Sequence, residues 1–325
     1  MAVYFAYGSN MDVENWARFC AGYDADPDCM KPIGPAMLPD CELVFNYRSV
    51  LRSGGALNIR ERKGHFVHGV LFEVSQRGWE VLDIKESVAI GCYRRISHVA
   101  ITSGGRSIPV TTYQVTQKRQ EGFVPPSDEY AQIVSRGLSA FGLPLHQFQA
   151  AARNHAAAQE VEGVFVYGTL MRGESRHEAI RRHAPSATLL ARGPGRLHET
   201  TADYPMLDVG EHEAGDVVHG EYVGFADTAP VLETLDEIEE FAGYTSEGNE
   251  YLRTLVEIDT GHSTKRLAWT YIAANRLMIG ERIESGCWRT HRGISPEEYA
   301  LKNAGEDGAQ QAQAEGTYSK DAHSA

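Results

Sequence analysis

The chain has 325 residues, with 31 Lys and Arg against 44 Asp and Glu, for a formal net charge of −13. At about 100–200 residues per domain this length suggests two domains, and the 42 % hydrophobic content excludes a wholly disordered chain. The acidic balance argues against nucleic acid or an anionic membrane as partner.

The opening Met1-Ala-Val-Tyr-Phe-Ala-Tyr7 lacks the basic start and long apolar run of a secretory signal. No stretch approaches the roughly 18–20 apolar residues of a membrane helix, so a cytoplasmic, soluble protein is expected. Strand propensity marks Tyr4–Tyr7, Leu43–Asn46, His68–Val74, Ile96–Thr102 and Val110–Val115. A helix is predicted over Ser127–Phe141, with Ser127 as N-cap and Gly142 as stop. An alanine-rich stretch, 150–159, finishes a further helix before a short linker. Helices are predicted again over Glu174–Arg182 and Ala229–Asp236. From 302 to 325 the chain is polar and nearly free of large apolar residues, and is expected to be disordered. Many short strands and few helices suggest an α+β protein with small, closed or strongly coiled sheets.

Metal and cofactor signals are weak. Cys20, Cys29, Cys41, Cys92 and Cys287 form an odd set without a Cys-x-x-Cys pair, which fits reduced thiols better than a disulfide scaffold. His65 and His68 fall three apart in a strand-like run, which points them to opposite faces. No zinc-type spacing occurs elsewhere, so no metal site is expected. A phosphate loop is missing, and Gly193-Pro-Gly195 lacks the third glycine and following helix of a dinucleotide motif.

The informative feature is an internal repeat. Tyr4-Phe-Ala-Tyr-Gly-Ser-Asn-Met11 returns as Val164-Phe-Val-Tyr-Gly-Thr-Leu-Met171, and Val67-His-Gly69 returns as Val218-His-Gly220. Leu82-Asp-Ile-Lys-Glu86 is matched by Leu235-Asp-Glu-Ile-Glu239, and each is followed by Tyr-x-Arg, at Tyr93–Arg95 and Tyr251–Arg253. The offsets of 160, 151 and 153 residues between Tyr7 and Tyr167, Gly69 and Gly220, and Glu86 and Glu239 are too long for a solenoid period of about 20–50. Two copies of one domain are implied, over 1–158 and 162–301.

These residues carry a resemblance. The first copy resembles a γ-glutamylcyclotransferase through Tyr7-Gly-Ser-Asn10, the Gly-Gly-Ala-Leu-Asn turn at 54–58, Leu82-Asp-x-x-Glu86, Gly91-x-Tyr93 and Pro126-Ser-x-x-Tyr130. The second is more similar to the γ-glutamylamine branch of that superfamily. Its matching motifs are Tyr167-Gly-Thr-Leu-Met-Arg-Gly173, Tyr204-Pro205, Leu235-Asp-x-x-Glu239, Tyr251-x-Arg253 and Ser285-Gly-x-Trp288.

The resemblance implies a tandem of two small mixed β-barrels with flanking helices. It also implies a reaction in which the substrate's own α-amine attacks its γ-carbonyl, giving 5-oxoproline and a free amine without a cofactor. The partner would be a small γ-glutamyl compound, with neither nucleic acid nor membrane involved; the sequence assigns no oligomeric state. Glu86 and Glu239 take the acid/base role by resemblance. Tyr7, Gly8, Ser9, Asn10, Tyr93 and Tyr130 are candidate substrate-binding residues in the first copy, and Tyr167, Gly168, Thr169, Leu170 and Tyr251 in the second.

Alternatives stand beside this reading. Ser9 and Thr169 could be nucleophiles of a covalent amidase or glutamyl transferase, although no paired histidine recurs in both copies. The fold could also serve a silent ligand-binding protein. Arg95 and Arg253 are more simply outward strand arginines, and His68 and His219 structural. The usual Glu-Gly of the family is Glu86-Ser87 and Glu239-Glu240 here.

Overall fold

The computed structural model describes residues 2–200, 204–210, 215–262, 264–274 and 279–294; the polar segment expected at 302–325 lies outside the described residues. The first half opens with β1 (Ala2–Ala6) and α1 (Val13–Ala21). Asp12 starts α1 by accepting the Asn15 N–H at 2.7 Å, which satisfies a donor the helix cannot.

Two long antiparallel strands follow, β2 (Met30–Ser49) and β3 (Gly54–Val74). The expected strands Leu43–Asn46 and His68–Val74 are the best-patterned stretches of this hairpin. The rest carries Pro32, Gly34, Pro39 and Asp40, which read as breakers but fall at register shifts between Pro32 and Gly34 and between Pro39 and Cys41. A bulge tolerates such residues and bends the strand, which helps a sheet to close.

α2 (Gln76–Lys85) begins at Ser75, whose hydroxyl accepts the Gly78 N–H at 3.1 Å. β4 (Tyr93–Ile101), β5 (Ser107–Val115), α3 (Asp128–Ala140) and α4 (His146–Ala152) complete the half. Ser127 caps α3 as predicted, accepting from Tyr130 N. The strand order β1-β3-β2-β4-β5 closes into a barrel through a parallel β1–β5 pairing.

The second half contains β6 (Gly163–Val166), α5 (Glu178–Arg181), β7 (Ala187–Pro194), β8 (Arg196–Glu199) and β9 (Pro205–Asp208). It continues with β10 (Val217–Gly224), α6 (Ala229–Ile238), β11 (Tyr251–Ile258), β12 (Arg266–Ala273) and α7 (Trp288–His291). Its sheet order is β11-β12-β6-β10-β7, with β8 and β9 forming a separate ribbon. An Arg192–Asp259 bridge, with reciprocal 2.8 Å bonds, joins the two sheet edges. The cyclic order therefore repeats that of the first barrel, closed by one bridge.

The duplication extends to single hydrogen bonds. Tyr7 donates to Tyr113 O and Tyr167 to Tyr271 O, each at 2.7 Å. Thr112 Oγ1 donates to Phe5 O at 2.8 Å, and Thr270 Oγ1 to Phe165 O at 2.9 Å. The repeated His-Gly has a steric cause. A Cβ on Gly69 would lie 2.4 Å from Ala6 O, and one on Gly220 2.2 Å from Val166 O.

One expected helix is shorter than predicted. Of Glu174–Arg182, only Glu178–Arg181 is α-helical, because the Arg176 N–H donates back to Thr169 O at 2.8 Å instead of joining a helical ladder.

The halves share a core. Met37, Phe66 and Ile101 of the first pack in the buried cluster of the second. Thr254 Oγ1 donates to Gly105 O at 2.7 Å, and Lys63 Nζ meets Asp236 Oδ2 at 2.6 Å. No helix among the described residues is long and apolar enough to cross a membrane.

Candidate active sites

Glu86 and Glu239 occupy the same place in the two copies. Each is the C-cap of its helix, α2 or α6, with its N–H bonded to Leu82 O at 2.8 Å or Leu235 O at 2.9 Å. The following residues, Ser87 and Glu240, adopt left-handed φ of 52° and 51°. This backbone turn ends the helix and suits glycine best, which gives a physical reason for the Glu-Gly pairing of similar sequences.

In the first copy, Asn10 Nδ2 donates to Glu86 Oε1 at 2.8 Å and to Tyr4 OH at 2.9 Å. Arg52 Nη2 donates to Ser9 Oγ at 3.3 Å, and its guanidinium lies 5.3 Å from the Tyr130 ring centre. The Tyr130 hydroxyl accepts the Leu57 N–H at 3.3 Å, while Leu57 O accepts from Tyr93 OH at 2.7 Å. Gly8 is held close by: a Cβ there would lie 3.5 Å from Tyr130 OH. Tyr7, Gly8, Ser9, Asn10 and Tyr130 thus gather about Glu86. Tyr93 also stands near Glu86, Tyr7 and Tyr130; its hydroxyl, like that of Tyr7, is committed to a backbone carbonyl.

Desolvation raises the Glu86 pKa above its ordinary 4.5, while the Asn10 bond and the nearby Lys85 and Arg52 charges pull the other way.

In the second copy a small cleft is lined by Tyr167, Gly168, Thr169, Leu170, Glu239 and Tyr251, together with Arg176 and Tyr204. Glu239 is buried, at 9 % exposure. Its pKa is raised from 4.5 to about 7, chiefly by desolvation, against the pull of Arg176 and with a further push from Glu250. Leu170 stands where Asn10 stands in the first copy, so no equivalent amide reaches Glu239. Tyr251 donates to Pro205 O at 3.3 Å. The Gly168 backbone packs so closely on Pro205 that a Cβ would approach its ring to 2.6 Å.

Ser9 Oγ is engaged by an arginine rather than a histidine. Gly55 and Gly195 serve close backbone approach: a Cβ would lie 1.9 Å from Val124 O at Gly55 and 2.6 Å from Asp208 O at Gly195.

One expectation is corrected. Arg95 is a partly exposed strand arginine, paired with both Asp83 oxygens at 2.8 Å. Its counterpart Arg253 is fully buried. Arg253 Nη1 reaches both Asp236 oxygens, at 3.0 and 3.2 Å, and Nη2 pairs with Asp40 of the other half. Tyr113 donates to Asp83, and Tyr271 to Asp236, each at 2.7 Å. The difference arises because the bulge between Pro39 and Cys41, with Asp40 at φ 53°, carries a carboxylate into the second copy. Arg52 and Arg176 were not anticipated, and Tyr204 was noted only as part of the Tyr204-Pro205 motif. The two arginines come from unrelated segments, so the repeat could not reveal them.

Beyond these sites, the described residues contain one group of potential metal ligands, His68, His146 and Glu160. His65 is not part of it.

Two related α+β barrels, each with a desolvated carboxyl at a helix C-cap beside a Tyr-Gly-hydroxyl turn, define the class of the protein. A family model described as "Gamma-glutamyl cyclotransferase, AIG2-like" matches residues 164–290, and one described as "AIG2-like family" matches residues 66–149. The γ-L-glutamyl-butirosin B γ-glutamyl cyclotransferase of Niallia circulans is 32 % identical over 132 residues, covering 40 % of this chain and 76 % of its own. A Vibrio cholerae protein provisionally assigned as a γ-glutamylcyclotransferase is 31 % identical over 130 residues, covering 38 % and 93 % respectively. A solved γ-glutamyl cyclotransferase structure, 27 % identical, covers 48 % of this chain and 89 % of its own, with a TM-score of 0.41. The chain belongs to the γ-glutamyl cyclotransferase, AIG2-like, family, in tandem duplication.

Proposed function

We propose that the protein cleaves γ-glutamyl amides of amines or amino acids to 5-oxoproline and the free amine, with Glu86 and Glu239 as the acid/base groups of two sites. The observation that carries this reading is the recurrence of a desolvated carboxyl at one helix C-cap in both copies, raised to about 7 in Glu239. In this scheme the substrate α-nitrogen bonds to the γ-carbon and the γ-carbon–nitrogen amide bond breaks. The α-nitrogen gives up one proton to the carboxylate, which returns it to the departing nitrogen. A chain-terminal α-amine has a pKa of about 7.7–8.0, and the free α-carboxylate of a γ-glutamyl group raises it, so a base near neutrality is matched to the task. N–H groups of the Tyr7–Asn10 and Tyr167–Leu170 turns would face the oxyanion that forms at the carbonyl. Arg52 and Arg176 would supply positive charge for a substrate carboxylate.

The test is a panel of γ-glutamyl amines and dipeptides with mass detection of products. Glu86→Gln and Glu239→Gln should each lower turnover at their own site by about 10²–10⁴-fold, and the double variant should be inactive. Absence of 5-oxoproline from every substrate would refute the proposal, and release of free glutamate would point to a covalent amidase.

A further inference from the structure

Three side chains outside both candidate sites converge where the first barrel meets the linker to the second. His68 lies on β3, His146 opens α4, and Glu160 lies between α4 and β6. His68 Nε2 is 3.3 Å from Glu160 Oε2, and His146 Nε2 is 3.0 Å from Glu160 Oε1. All three ligand atoms fall within 4.8 Å of one another. The imidazole rings are nearly perpendicular, at 86°, with centres 6.2 Å apart, so they approach from separate directions.

The arrangement is supported from behind. Buried Gln147 donates through Nε2 to Phe66 O at 2.9 Å and also to Glu160 Oε1, and its Oε1 accepts the His68 N–H at 3.1 Å. One side chain thereby fixes both the carboxylate and the strand that carries a histidine, as groups behind metal ligands commonly do.

Two imidazole nitrogens and a carboxylate form a ligand set suited to zinc, whose bonds of about 2.0–2.1 Å place tetrahedral ligands roughly 3.3 Å apart. The half-exposed His146 leaves a side open for water as a fourth ligand. We infer that His68, His146 and Glu160 bind a divalent transition metal of the zinc type, which ties the linker between the copies to the first barrel.

The local spacing of His65 and His68 gave no sign of this site, because its ligands are separated by 78 and 14 positions and only the fold brings them together.

The full chain, freed of metal with a chelator, is titrated with Zn²⁺ by calorimetry. One equivalent should bind with micromolar or tighter affinity, and His146→Ala and Glu160→Gln should each weaken it by at least about tenfold. Trypsin cleavage after the exposed Arg153 should slow when Zn²⁺ is added to the unaltered chain but not to either variant. Circular dichroism reports folding; should Glu160→Gln fail to fold, the half-exposed His146 provides the variant that decides. No binding, binding retained in the variants, or cleavage at Arg153 indifferent to Zn²⁺ would each overturn the inference.

Discussion

Replacing Glu239 by Gln should stabilise the protein while disabling its second site. The carboxyl is buried at 9 % exposure and its pKa is raised from 4.5 to about 7, mainly by desolvation. Folding therefore favours the protonated form. Its favourable contribution is complete below the unfolded value of about 4.3, declines as pH rises, and levels off above about 7. At about 1.36 kcal/mol per pKa unit, the change from 4.5 to about 7 corresponds to about 3 kcal/mol at pH 8. Glutamine resembles the protonated acid at every pH and escapes this cost. In a half of this size, that is an increase in melting temperature of about 6–12 °C, seen by calorimetry at pH 8 and nearly absent at pH 4.5. Comparing variant and parent at each pH cancels every other titrating group. A variant no more stable than the parent at pH 8, or equally stabilised at both pH values, would refute the argument.

Leu170→Asn imports the amide that Asn10 offers Glu86. In a Glu86→Gln background it should lower the Glu239 pKa from about 7 and move the acid limb of the second site's kcat/KM profile to lower pH; an unmoved limb counts against the proposed amide–carboxylate contact. Arg253→Met removes the cation between Asp40 and Asp236, which should cost about 3–5 kcal/mol, measured as a loss of melting temperature. Asp40→Asn with Arg253→Met should recover part of it. Ser87→Gly relieves the left-handed φ of 52° and should add up to about 1 kcal/mol in urea unfolding, whereas no gain would show that the serine makes a compensating contact.

Legibility from sequence followed the range over which a signal acts. The strand openings, the Ser127 cap and the repeated Glu86 and Glu239 depend on neighbours a few positions away, and the repeat acts as an internal comparison. The long β2–β3 hairpin was seen only in pieces because Pro32, Pro39 and Asp40 are strand breakers except at bulges, and a bulge depends on the partner strand. Arg176 looked helical because the competing acceptor, Thr169 O, is visible only once the turn is folded. Arg253 followed the pattern of Arg95, yet its environment is set by Asp40, 213 positions away in the other copy. Residue type could not distinguish an outward strand arginine from a buried one.

The buried Asp40–Arg253–Asp236 arrangement, with Lys63 beside it, bears on how the two copies can diverge. Duplicated domains are ordinarily separable, and either can be lost when its task lapses. Here the first copy places a carboxylate and three apolar side chains inside the second and sets the partly exposed Lys63 ammonium against it. Even if its own pocket fell silent, selection for the second pocket would preserve the first barrel's bulged hairpin. The duplication acts as a ratchet: residues of one pocket can drift while the barrel around them stays bound into the core of the other.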